Sequence, residues 1–285
     1  MSSNESVDLV IQAPEVGTPE LKRLARLTGA TGIEALSGGE TQAFRLVRPA
    51  STEAVAGFCA DAGYDFAFVP RTQRLGRVRL VAMDMDSTVI TIECVDEIAD
   101  ILGVKAKVAS ITARAMRGEI DFAESLRQRV GLLRGADTAA LQRVYDDRLT
   151  LSQGAERMLN GFKQSGAKTL LVSGGFSFFT DRLKARLGLD YTVASALEIA
   201  DGKLTGRLSG AIVDGVAKAD AFERLARKLR GEDGLTVAIG DGANDLPMLA
   251  RADVSIAYRG KPIVRAQTTY AIDHCGLDAA LNLFA

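Results

Sequence analysis

The sequence predicts an α/β fold in which a Rossmann-like parallel sheet with an inserted helical cap follows a small α+β ferredoxin-like domain. Two observations lead to this prediction. From Val78 onward, short apolar runs that end in polar loops alternate with helical patterns, which is typical of a parallel sheet covered on both faces. Before that point, the predicted order β-α-β-β-α-β is typical of a ferredoxin-like split unit.

The first predicted domain comprises residues 1–76, of which residues 70–76 form a polar and basic linker. Thr18-Pro19 is typical of a helix start, because threonine caps helix N-termini and proline is tolerated in the first turn. Gly29 is typical of the end of that helix. The other predicted elements are strands at 7–11, 33–36, 43–47 and 65–69 and a helix at 52–62.

The second predicted domain comprises residues 77–285. A purely helical stretch at about 95–150 interrupts its alternating pattern, at the place expected for a cap over a binding site. Asp201-Gly202, between two alternating segments of 196–210, predicts a β-hairpin. In parallel sheets, ligands bind beyond the carboxyl ends of the strands. The predicted buried strands are Val78–Met83, Thr169–Val172, Thr236–Ile239 and Val254–Ala257.

Composition excludes several classes of function. The net charge is −1, and the chain has no basic tail, so neither nucleic acid nor a membrane surface is an expected partner. Three widely separated cysteines and the absence of a signal-peptide pattern predict a cytoplasmic protein. His274 is the only histidine. A metal site would therefore be built from oxygen ligands, which favours magnesium, manganese or calcium over zinc.

Two acidic clusters follow predicted strands. Asp84-Met-Asp86-Ser-Thr88 comes directly after Val78–Met83, and Gly240-Asp241-Gly-Ala-Asn244-Asp245 ends another strand. A lone Asp-x-Asp is usually a solvated loop. Two such clusters at neighbouring strand ends would repel each other without a cation between them, so the pair predicts a magnesium site.

Three further positions carry weaker signals, and each has a structural alternative. Ser173-Gly174-Gly175 could cradle phosphate oxygens at a strand end, or simply form a tight turn. Lys218 lies on the apolar stripe of its helix, where it either needs an anionic partner or extends from the edge of the core to solvent. Arg129 edges an apolar stripe within the helical insert, where a guanidinium could bind an anion.

Together, four separated segments resemble the haloacid dehalogenase-like phosphatases: the Asp84 loop, the strand ending at Ser173, Lys218 and the Asp241 loop. Within that family, residues 78–285 resemble the phosphoserine phosphatases, most clearly at MDMDSTVITIECVDEIA, RGEIDFAESLRQRV, LVSGGF and IGDGANDLPML. No position in these motifs departs from that pattern. The N-terminal unit resembles an ACT-type domain through its element order, which implies an amino acid ligand for this unit. A homodimer is a further expectation.

The resemblance implies a role for each matched residue. Asp84 would be the nucleophile that becomes an aspartyl phosphate, and Asp86 the general acid and base. Mg²⁺ would be held by Asp84, the backbone carbonyl of Asp86 and Asp241, with Asp245 orienting the ligands. The residues expected to bind substrate are Glu93 and Arg129 at its amino acid end, Met116 and Phe122 in the cap, and Ser173, Gly174, Lys218 and Asn244 around the phosphate.

The implied reaction is magnesium-dependent hydrolysis of L-phosphoserine, the last step of serine biosynthesis. Two alternatives remain open at this stage. The chain could be a related phosphatase or phosphotransferase that acts on another small phosphate ester. It could also be a non-catalytic amino acid sensor, although the intact acid pair of Asp84 and Asp86 argues against that reading.

Overall fold

The computed structural model describes residues 7–36 and 41–284; the first six residues of the predicted N-terminal domain and residue 285 lie outside this range. The first part of the chain forms a four-stranded antiparallel sheet with strand order β2-β3-β1-β4. This is the order of a ferredoxin-like unit, as predicted. Its elements are β1 (Val7–Ala13), α1 (Thr18–Thr28), β2 (Gly32–Leu36), β3 (Gln42–Val47), α2 (Val55–Ala62) and β4 (Asp65–Pro70).

The rest of the chain builds a seven-stranded sheet with order β11-β10-β9-β5-β6-β7-β8, parallel except for the edge strand β8. Among the described residues, no helix is both long and apolar enough to cross a bilayer. The elements are β5 (Val78–Met83), α3 (Cys94–Ile101), α4 (Lys105–Met116), α5 (Phe122–Gly131), α6 (Ala139–Arg143), α7 (Ala155–Gln164), β6 (Lys168–Phe176), α8 (Ser177–Leu187), β7 (Tyr191–Ala200), β8 (Lys203–Ser209), α9 (Gly215–Leu229), β9 (Leu235–Gly240), α10 (Leu246–Leu249), β10 (Val254–Tyr258), α11 (Pro262–Arg265) and β11 (Tyr270–Ile272).

Strand β5 lies between β9 and β6 at the centre of this sheet. Its side chains alternate between two apolar clusters: Val81 and Met83 face one, and Leu80 and Ala82 face the other. Burial on both faces explains why the strand reads as a continuous apolar run. The carboxyl ends of β5, β9 and β6 are therefore neighbours, which confirms that Asp84, Asp241 and Ser173 lie at one edge of the sheet, although Ser173 belongs to β6 itself and does not begin a loop.

The predicted helical insert is present as α3–α6, which we call the cap. The cap is inserted between β5 and β6. The segment that enters it and the segment that leaves it run side by side, since Thr91 N donates to Thr150 O at 3.0 Å and Ser152 N donates to Val89 O at 2.9 Å. The predicted hairpin is also present. Asp201 and Gly202 adopt positive φ of 50° and 74° at its tip, as a two-residue hairpin turn requires.

Several details differ from the sequence predictions, including strand β6, which runs to Phe176 where the sequence predicts an end at Val172. Gly17, rather than Thr18, caps α1, and α2 begins at Val55, three residues after the predicted Thr52. The short strand β11 was not predicted, because three residues are too few for a periodic signal.

The predicted linker is anchored: the buried Gln73 donates from Nε2 to Leu283 O at 2.6 Å and accepts from Tyr270 Oη at 3.2 Å.

The two sheets share one core. Strand β1 turns Leu9 and Ile11 toward α1 and α2, whereas the alternate Val10, with Val69 of β4, joins the large apolar cluster of the main sheet. Asp65 fixes this contact, because its buried carboxylate accepts backbone hydrogen bonds from residues 273–275 at 2.8–3.2 Å. A domain boundary between residues 76 and 77 stays a prediction, since apolar packing continues across it.

We expect Asp65→Asn to lower the free energy of unfolding by about 1–3 kcal/mol, because an amide NH₂ would face backbone donors that then lose their acceptor. Urea denaturation measures the change. Asp61→Asn is the matched control, since Asp61 lies on the exposed surface of α2. Equal stability of the Asp65→Asn variant and the unaltered protein would show that the carboxylate does not hold the two sheets together.

Candidate active site

The loop after β5 continues the sheet and then turns sharply. Asp84 N still donates to Ile239 O at 3.0 Å, so the nucleophile candidate is held in the register of the sheet. Ser87 adopts φ 56°, a left-handed conformation that is uncommon for serine and often marks a functional loop. The turn leaves Asp84 only 5% exposed, at the bottom of a cavity.

Lys218 joins two of the acidic loops. Its Nζ lies 2.7 Å from Asp84 Oδ1 and 2.7 Å from Asp245 Oδ1, and the residue is 1% exposed. The structure therefore resolves the alternative left open by the sequence: Lys218 does not extend to solvent but pairs with buried acids. Although burial acts to lower the pKa of Lys218, the neighbouring Asp245 and Asp84 raise it, so the ammonium stays charged.

Asp241 and Asp245 are fixed by donors from their surroundings. Thr88 Oγ1 donates to Asp241 Oδ1 at 3.1 Å, and Gly242 N donates to Asp245 Oδ2 at 3.0 Å. Oxygens of Asp84, Asp241 and Asp245 lie within 4.8 Å of one another. Three crowded carboxylates that share one ammonium carry excess negative charge, and an all-oxygen set of this kind fits Mg²⁺.

The pKa shifts of Asp84 and Asp241 reflect the same excess negative charge. Burial, and then repulsion from Asp245, raise the pKa of Asp84 well above its usual value, while Lys218 opposes this effect. Burial and Asp245 likewise raise the pKa of Asp241 to about 6. A divalent cation bound at these oxygens would stabilise the ionised carboxylates and so lower the raised pKa values of Asp84 and Asp241.

Asp86 lies between the sheet and the cap. Its Oδ1 accepts from Cys94 N at 2.9 Å, at the start of α3, and its Oδ2 accepts from Ser173 Oγ at 3.3 Å. Burial raises the pKa of Asp86, and the hydrogen bonds from Cys94 only partly offset this. A carboxyl group of this kind is suited to carry and release a proton.

Two glycines make room for the site. A Cβ on Gly174 would lie 2.8 Å from Phe122 Cζ, and a Cβ on Gly175 would lie 2.7 Å from Asp86 Oδ2. Either contact is too short for a real Cβ, so a side chain at these positions would have to displace the Phe122 ring or the Asp86 carboxylate. Gly174 and Gly175 lie inside β6, where the pairing with β7 shifts register between Ser173 and Phe176, so the tight turn that was the structural alternative is absent and an irregular strand segment forms this wall of the cavity.

A cavity of about 190 Å³ lies between the sheet and the cap. Among the predicted site residues, Ser173, Lys218 and Asp245 are buried and do not line it. Met116 lines it although the residue is 67% exposed. The predicted residues that line the cavity are Asp84, Asp86, Gly174, Asp241 and Asn244 from the sheet and its loops, and Glu93, Met116, Phe122 and Arg129 from the cap and its entry.

Glu93 and Arg129 face this cavity with opposite charges. Ser87 Oγ donates to Glu93 Oε1 at 2.8 Å, while burial and then Asp86 raise the pKa of Glu93 to about 7. Burial lowers the pKa of Arg129, and the nearby Asp96 and Glu93 oppose this. Within residues 7–36 and 41–284, Arg129 makes no ion pair, so its guanidinium is available to a ligand.

Sequence reasoning missed Lys261, which lines the cavity from the loop after β10. Its one sequence signal is position: it lies three residues beyond a strand end and immediately before Pro262, a helix-starting proline. His274 lies outside the site, exposed, with its backbone bonded to Asp65. All three cysteines are buried, as expected for core residues.

Comparison with known proteins agrees with this geometry. A model of the family described as haloacid dehalogenase-like hydrolase matches residues 78–253, and a domain of unknown function (DUF4072) matches residues 9–61. The N-terminal match does not identify an ACT-type domain, so that assignment stays a prediction.

Three similar proteins illustrate the relationship. A phosphoserine phosphatase of Polaromonas sp. is 52% identical over 215 residues, covering 74% of this chain and 91% of that protein. An unliganded probable phosphoserine phosphatase from Vibrio cholerae has a TM-score of 0.84 at 34% identity, covering 97% of this chain and 85% of that one. A phospho-aspartyl intermediate analogue of a phosphoserine phosphatase has a TM-score of 0.67 at 37% identity, covering 73% of this chain and 100% of that one.

The family match spans more than half of the chain, and it contains the strand ends, the buried lysine and both acidic loops of the site. The first of these relatives is matched over nine-tenths of its length. The chain therefore belongs to the haloacid dehalogenase-like hydrolase family, in the group that includes these phosphoserine phosphatases.

Proposed function

We propose that the chain is a phosphoserine phosphatase that hydrolyses L-phosphoserine to L-serine and phosphate through an aspartyl phosphate on Asp84. In metabolism this is the last step of serine biosynthesis. One observation carries the proposal: the Asp84 and Asp86 pair shares a single cavity with Arg129 and Glu93. The first pair supplies the chemistry of phosphate transfer, and the second matches the carboxylate and the ammonium of an amino acid.

The residues that line the cavity support one direction of substrate binding. Its phosphate points to Asp84, in a region bounded by Gly174 and Asn244, with Ser173 and Lys218 immediately behind. Arg129 binds the substrate carboxylate through two parallel hydrogen bonds, and Glu93 binds the ammonium. In the cap, Met116 and Phe122 close over the ligand and exclude water.

The two carboxylates then divide the chemistry. Asp84 Oδ1 accepts hydrogen bonds from Lys218 Nζ and from Met85 N, both at 2.7 Å, so Oδ2 is the oxygen that attacks phosphorus. The bond from phosphorus to the serine oxygen breaks, and Asp86 donates its proton to that oxygen. Asp86 then removes a proton from the water that hydrolyses the aspartyl phosphate.

We also propose that Mg²⁺ is the cofactor, held by Asp84, the backbone carbonyl of Asp86 and Asp241. Both oxygens of Asp245 already accept hydrogen bonds, from Lys218 and Gly242, which suits a residue that orients the ligands. When bound, the ion offsets the negative charge that would otherwise repel a phosphate dianion from a carboxylate nucleophile.

A panel of small phosphate esters, with released phosphate as the readout, tests the proposed function. Phosphoserine should have the highest kcat/KM. Preference for an ester without an amino acid end would favour a related phosphatase, and absence of turnover on every ester would favour a sensor. A cytoplasmic location, an amino acid ligand for the N-terminal sheet and a homodimer are further proposals that rest on the sequence.

The acid pair gives the first kinetic prediction. Asp84→Asn should abolish turnover, because an amide cannot form the covalent intermediate. Asp86→Asn should slow turnover by roughly 10²–10⁴, the usual contribution of general acid–base catalysis. Steady-state phosphate release measures both. Full activity of the Asp84→Asn variant would rule out the covalent mechanism.

Arg129 should select the substrate. Removing one partner of a buried charge pair typically costs ~2–5 kcal/mol, so Arg129→Ala should lower kcat/KM for phosphoserine by roughly 1.5 to 3.5 decades. Activity on p-nitrophenyl phosphate, which lacks both charged groups, should change much less. Arg127→Ala is the matched control, since Arg127 lies on the same helix with its side chain 60% exposed. Equal losses on the two substrates would assign Arg129 a role in cap structure.

Metal choice gives a further prediction. Activity should be lost with a chelator, return with Mg²⁺ and be inhibited by Ca²⁺. Calcium accepts about 6–8 ligands and can engage both oxygens of one carboxylate, which would leave Asp84 without a free oxygen for attack. Phosphate release after chelation and readdition of each metal measures this. Equal rates with the two metals would contradict an octahedral magnesium site.

A further inference from the structure

The cavity wall has an unbalanced charge for a site that must admit a phosphate dianion. Among the described residues, four carboxylates line it, those of Asp84, Asp86, Glu93 and Asp241. Cationic side chains line it at only two positions, Arg129 and Lys261. Mg²⁺ held by Asp84 and Asp241, as proposed above, would offset part of this negative charge at the bottom of the cavity, so the cations that a phosphate meets on its way in are the ones on the wall.

Lys218 does not capture the phosphate at the entrance to the cavity. It is 1% exposed, and its Nζ is paired with Asp84 and Asp245. A substrate meets this charge only after it has reached the bottom of the site. Capture before that point depends on cations that reach solvent.

Lys261 is placed for that role by its backbone. Lys261 follows β10, and its backbone N–H donates to Asp241 O at 3.0 Å. This hydrogen bond joins the loop after β10 to the acidic loop after the neighbouring strand β9. Pro262 begins α11 immediately afterwards and restricts the loop further. The backbone is thus fixed, while the side chain is exposed and lines the cavity.

The Lys261 side chain has no partner of its own in the structure. Within residues 7–36 and 41–284, no carboxylate lies within ion-pair distance of its Nζ. A fixed backbone that carries an unpaired, solvated ammonium beside an acidic cavity fits an anion-binding group.

We propose that Lys261 is a substrate-binding residue that captures the phosphate group as the ester enters the cavity from the sheet side. The inference rests on the proposed function and deepens it: Arg129 binds the amino acid end from the cap, and Lys261 binds the phosphate end. Because every phosphate ester carries that end, Lys261 acts on affinity for all of them, unlike Arg129. It takes no part in bond breaking, so it affects KM and leaves kcat nearly unchanged.

The test compares Lys261→Met with Lys261→Arg, which keeps the charge, and with Lys228→Met, which removes an exposed lysine on α9 away from the cavity. In Lys261→Met, KM for phosphoserine and for p-nitrophenyl phosphate should each rise about 3- to 10-fold, the effect of one partly screened charge. The inhibition constant of inorganic phosphate should rise by the same factor. Lys261→Arg should restore these values, and Lys228→Met should leave them unchanged.

Other outcomes overturn the inference. An unchanged KM and phosphate inhibition constant would mean that Lys261 does not meet the phosphate. A fall in kcat with a shifted Mg²⁺ requirement would mean that Lys261 instead supports the Asp241 loop. If the unaltered protein turns over p-nitrophenyl phosphate but not phosphoserine, the proposed function fails, and inhibition by inorganic phosphate still decides the role of Lys261.

Discussion

The buried ammonium of Lys218 is the interaction on which the rest of the site depends. It lies 2.7 Å from both Asp84 and Asp245, and so it joins the ends of β5 and β9 through a residue of α9. A buried charge without partners would cost several kcal/mol, which makes this arrangement highly specific. The same contact orients Asp84, because it occupies Oδ1 and leaves Oδ2 for the attack on phosphorus that we propose.

The pairing also leaves negative charge at the site that a further cation would offset. One ammonium cannot balance Asp84, Asp241 and Asp245, and the raised pKa values of Asp84 and Asp241 reflect the remainder. The fold thus separates two tasks. The sheet edge holds the charges that we propose perform phosphate transfer, whereas the cap holds Arg129 and Phe122, which we propose select the substrate and exclude water.

Sequence reasoning succeeded where periodicity or strand position carried the signal. Continuous apolar runs located the ends of β5, β9 and β10 to within one residue, but not that of β6, whose glycines continue the strand to Phe176. Helical spacing placed Lys218 and Arg129 on inward-facing stripes. Glu93 had no such signal and came only from family resemblance. Lys261 was missed because an exposed lysine in a loop resembles any other solvated lysine. The backbone contacts of Asp65 were also invisible, since they join residues that are about 200 positions apart.

Covalent transfer to Asp84 is the central claim, and trapping the intermediate tests it most directly. The protein would be mixed with phosphoserine and Mg²⁺, quenched in acid and treated with borohydride, which reduces an aspartyl phosphate to homoserine. Peptide mass spectrometry then locates the change. The account predicts homoserine at position 84 and unmodified aspartate at Asp86 and Asp241. Modification at another residue during active turnover would contradict it.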